Sequence, residues 1–177
     1  MGLASSVIAL CALAFSIWQA SQSRKHNRLS FRPHLTTWTH SHPEKGFYAV
    51  ELINNGLGPA IIDKFTVTLD GKSLGDNATD ALDKVLKILF PNTQYRATFS
   101  TVGTGYAMSP KERCTIVAVQ FSGAVRPSPE VVDHSLNRGN LEISYRSFYE
   151  EEFRLSSQEE QAKKPLPSIA PEKALTG

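Results

Sequence analysis

The sequence predicts a mainly β protein: an antiparallel β-sandwich with an immunoglobulin-like arrangement and one inserted helix, preceded by a single transmembrane helix. Residues 3–20 form an uncharged and mostly apolar run, and residues 24–28 form a basic cluster behind it. Across residues 31–155, about seven short strand-like segments alternate with turns, which is typical of a two-sheet β protein. The predicted division is an anchor at 1–23, a basic juxtamembrane segment at 24–30, a β-domain at 31–155 and a tail at 156–177.

The apolar run at residues 3–20 is at the short end of what crosses a membrane, since a spanning helix needs about 20 largely apolar residues. Trp18 lies near its basic end, where an indole ring suits the headgroup region. A cleavable signal peptide is the alternative interpretation, because residues 20–23 resemble a cleavage site. That interpretation lacks a basic segment ahead of the run, and Arg24 follows at once. We therefore expect a membrane anchor, with the lipid bilayer as its partner.

The basic cluster predicts the orientation of the anchor. Arg24, Lys25 and Arg28 follow the apolar run, and no lysine or arginine precedes it. Because cytoplasmic flanks carry the excess of Lys and Arg, we expect the amino terminus outside and the β-domain in the cytoplasm. The cluster is also able to meet anionic headgroups, but setting the topology is the favoured interpretation. Cys11 and Cys114 lie in the anchor and in a predicted strand, which argues against a disulfide.

The charge of the β-domain argues against a nucleic-acid partner. Every acidic residue lies at Glu44 or later, where fifteen Lys and Arg stand against seventeen Asp and Glu. The formal charge of that part is −2, although the whole chain carries +2. Nucleic-acid-binding domains normally present a basic patch or a recognised motif, and we find neither.

Hydrophobic periodicity predicts the strands. Phe65, Val67 and Leu69 alternate with polar residues, as expected for a strand with one buried face. The predicted strands cover residues 31–40, 47–53, 60–69, 94–101, 113–121, 141–148 and 152–155, with a short return at 72–74.

Two segments depart from the strand pattern. Within residues 77–90, apolar residues from Leu82 to Leu89 recur at i, i+3, i+4 and i+7, which predicts the inserted helix. Asp76 or Asn77 is expected to cap it. The tail from residue 156 is rich in Gln, Glu, Lys and Pro, so we expect it to be disordered.

The sharpest local motif is Asn-Asn-Gly-Leu-Gly-Pro-Ala at residues 54–60. Asn and Gly tolerate positive φ, and Pro59 restricts the start of the next strand. A phosphate-binding loop normally leads into a helix, whereas a strand is predicted here. We therefore interpret the motif as a structural turn.

No residue pattern predicts a metal site. His34, His40 and His42 would project from one face of a continuous strand. His34 and His40 would then be about 20 Å apart, at roughly 3.3 Å per residue. That separation is too wide for one ion, so no metal ligand is assigned.

No pattern predicts a catalytic centre either. The serines at 100, 109 and 122 lack the strained elbow of a serine nucleophile, and a thiol in a strand, such as Cys114, usually acts as a small apolar residue. The three glutamates at 150–152 are interpreted as a solvated hairpin turn. No catalytic, cofactor-binding or metal-binding residue is assigned and no cofactor is expected; the residues given a role, in membrane topology, are Trp18, Arg24, Lys25 and Arg28.

Four segments carry a resemblance to known proteins: residues 18–30, 32–35, 54–60 and 143–149. Together they resemble a group of small, uncharacterised bacterial membrane proteins that have one amino-terminal anchor and a β-rich domain. The resemblance covers most of the chain up to residue 155. It implies a single-pass protein of the bacterial inner membrane and implies no activity or site residue.

The expected function is that of a membrane-tethered, non-enzymatic interaction module. The alternative is an enzyme or small-ligand receptor whose site is assembled from dispersed residues. If the protein is an enzyme, we expect a concave pocket that gathers groups with perturbed pKa values. An interaction module predicts an exposed apolar patch or a free strand edge. A third hypothesis, lipid-surface sensing, predicts basic residues collected on the face toward the membrane.

Overall fold

The computed structural model describes residues 2–75, 77–100, 102–123 and 126–163. A long helix, α1 (Gly2–Ser30), precedes a β-rich domain. The elements of this domain are β1 (Leu35–His42), a 3-10 turn (Pro43–Lys45), β2 (Phe47–Asn54), β3 (Ala60–Leu69), β4 (Lys72–Ser73), α2 (Ala78–Leu89), β5 (Gln94–Phe99), β6 (Ala107–Met108), β7 (Arg113–Ser122), α3 (Pro129–Asn137), β8 (Gly139–Arg146), β9 (Glu152–Ser156) and α4 (Ser157–Lys163).

The strands form two antiparallel sheets, as the sequence predicts. The first sheet has the order β1-β2-β7-β5, and the second has the order β4-β3-β8-β9, with β6 pairing with the start of β3. Strands β1 and β2 pair without interruption, from Leu35 opposite Asn54 to His42 opposite Phe47. We call this part of the protein the two-sheet domain.

One hydrophobic core is shared by both sheets and α2. Phe65, Val67 and Leu69 are buried, which confirms the alternation predicted for β3. Phe121 of β7 packs edge-on against the rings of Tyr48 and Phe90, with centroids 5.9 and 4.9 Å away. Such edge-to-face pairs add stability beyond burial alone.

Helix α2 confirms the predicted helical face. Leu82, Val85 and Leu86 are buried. Asn77 is the N-cap, and its side-chain oxygen accepts hydrogen bonds from the N–H groups of Thr79 and Asp80. These bonds satisfy donors that the first turn leaves unpaired. The other candidate cap, Asp76, lies outside the described residues.

The first strand begins later than expected, at Leu35 instead of residue 31. Helix α1 continues through the basic cluster to Ser30, and Pro33 has no N–H to contribute to a sheet. The residues that join α1 to β1 are therefore the four at 31–34.

Part of the tail that we expected to be disordered is helical. In α4, the carboxylate of Glu160 accepts hydrogen bonds from the backbone N–H and the hydroxyl of Thr37, both at 2.7 Å. The contact joins residues 123 positions apart in the chain, so the composition of the tail gives no sign of it. Residues 164–177 lie outside the described residues.

Helix α1 lies outside the hydrophobic core. Among the described residues, it is the one helix long and apolar enough to cross a membrane, over Ser6–Ser30, and none of its apolar window is buried. Ile8, Leu10 and Ile17 are each about two-thirds exposed.

The motif at residues 54–60 packs directly against the segment that enters β1. The N–H of Leu57 donates to the carbonyl of Arg32 at 3.1 Å, and the N–H of Asn55 donates to that of His34 at 2.7 Å. A Cβ atom on Gly58 would overlap the backbone of Phe31. Gly58 does not have positive φ, so this glycine is needed for close approach of two backbone segments and not for an unusual backbone conformation.

Replacing Gly58 by alanine therefore tests this packing. Because the added methyl group meets backbone, which cannot move aside cheaply, we expect Gly58→Ala to lower the free energy of unfolding by about 3 kcal/mol. The matched control is Gly103→Ala, since Gly103 has open space around its Cβ position and no positive φ. We expect that control to change stability by less than about 1 kcal/mol. Urea unfolding of the full chain in detergent, followed by near-UV circular dichroism, measures both; equal effects would contradict the packing argument.

Candidate functional site

The candidate site lies where α1 joins the two-sheet domain. We define the junction end of this domain as residues 31–34 together with the connections at 55–59, 109–112 and 147–151. The first segment leads from α1 into β1, and the others join β2 to β3, β6 to β7 and β8 to β9.

A buried amide, that of Asn54, holds three parts of the junction end together. Its Oδ1 atom accepts hydrogen bonds from the N–H groups of His34 at 3.2 Å and Gly56 at 3.0 Å. Its Nδ2 group donates to the carbonyl oxygens of Gly58, Met108 and Ser109 at 2.9 to 3.2 Å. The position at which the chain enters β1 is therefore fixed relative to the two neighbouring connections.

The turn between β8 and β9 is built around the buried side chain of Ser147. The Ser147 hydroxyl oxygen accepts hydrogen bonds from the N–H groups of Tyr149 and Glu151 at 3.1 and 3.2 Å. Glu150 has a φ of 61°, which closes the turn. The result is that Phe148 is 72% exposed at the end of the turn.

Side chains of this turn and of β9 contact Arg28 at the end of α1 and Arg32 in the connection that follows it. The Arg28 guanidinium lies 5.9 Å from the centre of the Tyr149 ring. Arg32 is 3.5 Å from Glu151 (Nε to Oε2), and its guanidinium lies 5.9 Å from the centre of the Phe153 ring. Exposed cation–π contacts contribute about 0.5–1 kcal/mol and exposed ion pairs about 0–1 kcal/mol, so together they orient the helix weakly relative to the domain.

Between α1 and the turn lies a concavity of about 780 Å³, which we call the junction concavity. It brings together Arg24, Lys25 and Arg28, three of the four residues that the sequence assigns to topology, and leaves Trp18 outside. Trp18 is exposed on α1, with its ring 5.7 Å from that of Phe15. The remaining lining residues are Ile17, Ala20, Ser21, Asn27 and Tyr149.

Tyr149 is the residue of this site that sequence reasoning missed. It belongs to a segment that the sequence places correctly in a hairpin, but its contact with Arg28 joins positions 121 apart. Hydrophobic periodicity carries no information on such a contact, so no signal in one sequence identifies it.

The junction concavity is basic. Its lining contains three basic residues and no acidic one. In the part of the chain that the structure describes, Arg24, Lys25 and Arg28 have no carboxylate within 4 Å. The nearby glutamates of the turn are already paired, Glu151 with Arg32 and Glu150 with Arg146. The site is suited to an anion and repels a cation.

A second cavity, of about 90 Å³, lies between the two sheets and α2. Its walls are mainly apolar and carry no ionisable side chain; they include Val50, Val67, Leu82, Leu86, Val117 and Leu141. Pockets for drug-sized ligands are about 300–1,000 Å³, so this cavity is too small for such a molecule.

The three histidines considered in the sequence do not come together. The backbone N–H of His34 donates to Asn54, His40 is 3.0 Å from Glu51 (Nε2 to Oε2), and the ring of His42 stacks on that of Phe47. Among the described residues, no group of three or more His, Cys, Asp and Glu side chains is placed to hold a metal ion.

The serines considered as nucleophiles have structural partners. The Ser100 hydroxyl donates to the carbonyl of Thr115, and that of Ser122 donates to the carbonyl of Gln94. Ser109 donates its backbone N–H to Glu112 at 2.6 Å. None of these hydrogen bonds joins a serine to a histidine, as general-base activation of a hydroxyl normally requires.

The most perturbed tyrosine braces the connection before β7. The Tyr106 hydroxyl donates to Glu112, and this hydrogen bond raises the pKa of Tyr106 to about 12. The same bond, with that from the Ser109 N–H, lowers the pKa of Glu112. Neither side chain lines the junction concavity or the cavity between the sheets. We therefore attribute these pKa shifts to a hydrogen bond that stabilises the fold.

Substitution of Asn54 tests whether its side-chain amide holds the junction end together. Asn54→Ala leaves five backbone groups without their side-chain partner. Three of these hydrogen bonds are buried, and each orphaned buried group costs about 1–3 kcal/mol. We expect a loss of about 3 kcal/mol or more in the free energy of unfolding, measured by urea unfolding of the full chain in detergent. The neighbouring Asn55 makes an exposed bond to Thr36, so Asn55→Ala is the control and is expected to cost less than about 1 kcal/mol. A comparable loss in both variants would contradict the role given to Asn54.

Comparison with known proteins finds one family and no curated relative. None of the curated proteins matches the sequence. Residues 1–161 match the family described as Domain of unknown function (DUF8453). The match includes α1, both sheets and most of α4. The chain therefore belongs to the family Domain of unknown function (DUF8453).

Proposed function

We propose that this protein is a single-pass protein of a bacterial inner membrane that holds the two-sheet domain at the cytoplasmic surface as a non-enzymatic interaction module. The observation that carries the proposal is the position of α1. This helix leaves the domain with its apolar side chains exposed, and its basic end contacts the domain.

The exposure of α1 supports membrane insertion. Seven large apolar side chains along the helix are between 58% and 69% exposed: Val7, Ile8, Leu10, Leu13, Phe15, Ile17 and Trp18. Soluble monomers rarely expose a contiguous apolar surface of this kind, whereas a lipid bilayer covers it. The family match begins at residue 1, so the family shares the helix together with the two-sheet domain.

The order of the strands supports an immunoglobulin-like sandwich. In that arrangement, strands A, B, E and D form one sheet and strands C, F and G form the other. Here β1, β2, β7 and β5 follow the first order, and β3, β8 and β9 follow the second. The core shared by both sheets agrees with face-to-face packing.

A free strand edge supports the interaction role. Strand β5 is the last strand of its sheet, and among the described residues no strand pairs with its outer side. Such an edge accepts an extended peptide as an additional strand. Tethering to a membrane raises the effective concentration of a binding module for partners on the same surface.

A second candidate, the small-ligand receptor, is favoured by the apolar cavity between the sheets. At about 90 Å³, it is smaller than the engineered cavity of about 150 Å³ that binds benzene in another protein. It therefore has room for a small aliphatic group only, and we rank this function second.

Protease accessibility tests the membrane placement. In spheroplasts of a bacterial host, we expect external protease to leave the two-sheet domain intact, because the basic cluster keeps it inside. Digestion is expected once detergent opens the membrane. Alkaline carbonate should leave the full chain in the pellet. Digestion of the domain in intact spheroplasts, or release by carbonate, would contradict the proposal.

Photo-crosslinking tests the interaction role. We expect a photo-reactive amino acid at Thr98, an exposed position on β5, to give a covalent adduct with a partner polypeptide in intact cells. The control is Ser144, which is also exposed but lies on β8 between β3 and β9. An adduct from Thr98 and none from Ser144 is the expected result. Equal yields from the two positions, or none from Thr98, would count against strand addition at β5.

A further inference from the structure

We propose that the junction concavity binds the phosphate of an anionic phospholipid and thereby seats the two-sheet domain on the membrane surface. This inference rests on the proposed membrane placement and goes beyond it. The sequence interpretation gives the basic cluster a topological role, whereas the structure adds a shaped site in which the same residues are the binding groups.

The length of α1 places the concavity at the depth of lipid headgroups. The helix has 29 residues and is about 43 Å long at 1.5 Å per residue. The hydrocarbon core of a bilayer is about 30 Å thick, so about nine residues at the basic end extend beyond it. Arg24 and Arg28 lie in this part, and Tyr149 lies against Arg28.

The connection after α1 keeps the domain at that depth. Residues 31–34 join Ser30 to Leu35, and the carbonyls of Arg32 and His34 accept hydrogen bonds from the motif at 54–60. There is no flexible spacer that would let the β8–β9 turn move away from the membrane surface.

The charges of the concavity match a phosphate. Arg24 and Arg28 are four residues apart and lie on one face of the helix, and Lys25 lines the concavity with them. Their positive charges are not neutralised by carboxylates among the described residues. Guanidinium groups are well suited to phosphate oxygens, since they donate two parallel hydrogen bonds.

The apolar part of the concavity favours a lipid over a free anion. Ile17 and Ala20 line it on the side of the predicted hydrocarbon core, in the direction that the acyl chains of a bound phospholipid take. Phe148 is 72% exposed next to Tyr149, and the two rings are 6.1 Å apart. Aromatic side chains are typical of the interface between headgroups and acyl chains.

Native mass spectrometry of the full chain tests the inference. The protein is released from micelles that contain equal amounts of phosphatidylglycerol and phosphatidylcholine with identical acyl chains. We expect at least tenfold preferential retention of phosphatidylglycerol. The variant Arg24→Gln, Lys25→Gln, Arg28→Gln should retain the two lipids within a factor of two. The charge-matched control Lys45→Gln, Lys64→Gln, Lys72→Gln changes exposed positions away from the concavity and should behave as the wild type.

Three results would overturn the lipid site. They are equal retention of both lipids by the wild type, equal loss of preference in both triple variants, and displacement of phosphatidylglycerol by millimolar inorganic phosphate at constant ionic strength. The last result would identify a free anion as the ligand.

A depth measurement gives an independent readout that does not remove the basic residues. In a Trp18→Phe, Trp38→Phe background, Phe148→Trp should be quenched by lipids brominated on their acyl chains in liposomes, and Phe47→Trp, at the opposite end of the domain, should not. Absence of quenching at position 148 would overturn the seating of the turn.

These experiments distinguish a failure of the proposed membrane anchor from a failure of the lipid site alone. If carbonate strips the chain from these liposomes, both the anchor and the lipid site are wrong. If the chain resists carbonate but shows neither lipid preference nor quenching, the anchor stands and only the lipid site is wrong.

Discussion

The side-chain amide of Asn54 is the interaction on which the arrangement of this protein depends. A buried amide is costly unless its donors and acceptors are satisfied, and here each finds backbone partners in three separate segments. The entry to β1, the connection after β2 and the end of β6 are thereby held in one geometry. Helix α1 leads into this point through residues 31–34, and Arg28 at its end contacts Tyr149 of the domain.

Sequence patterns predicted those parts of the fold that depend on interactions between residues close together in the chain. The alternation through Phe65 and the cap at Asn77 are confirmed, because burial period and capping act within a few residues. The start of β1 follows from the continuation of α1 to Ser30 and from the missing N–H of Pro33, whereas the helix α4 depends on a partner far along the chain. Glu160 of α4 accepts a hydrogen bond from Thr37, and nothing in the sequence around either residue indicates this contact.

The candidate site shows the same division. Arg24, Lys25 and Arg28 stand out in the sequence because they follow an apolar run, and the structure places all three in one concavity. The opposite wall, Tyr149, comes from the turn between β8 and β9, whose geometry is set by Ser147. The basic cluster can thus be recognised in the sequence, whereas the shape of the concavity that it lines depends on the fold.

The four-residue connection between α1 and β1 has a mechanical consequence. If α1 spans a bilayer as proposed, the sheets tilt together with it, because the connection between α1 and β1 is too short to let them move independently. A long helix tilts further when the bilayer becomes thinner, and the free side of β5 would then rotate relative to the membrane plane. Bilayer thickness would in this way govern the angle at which the protein presents that edge to a cytoplasmic partner.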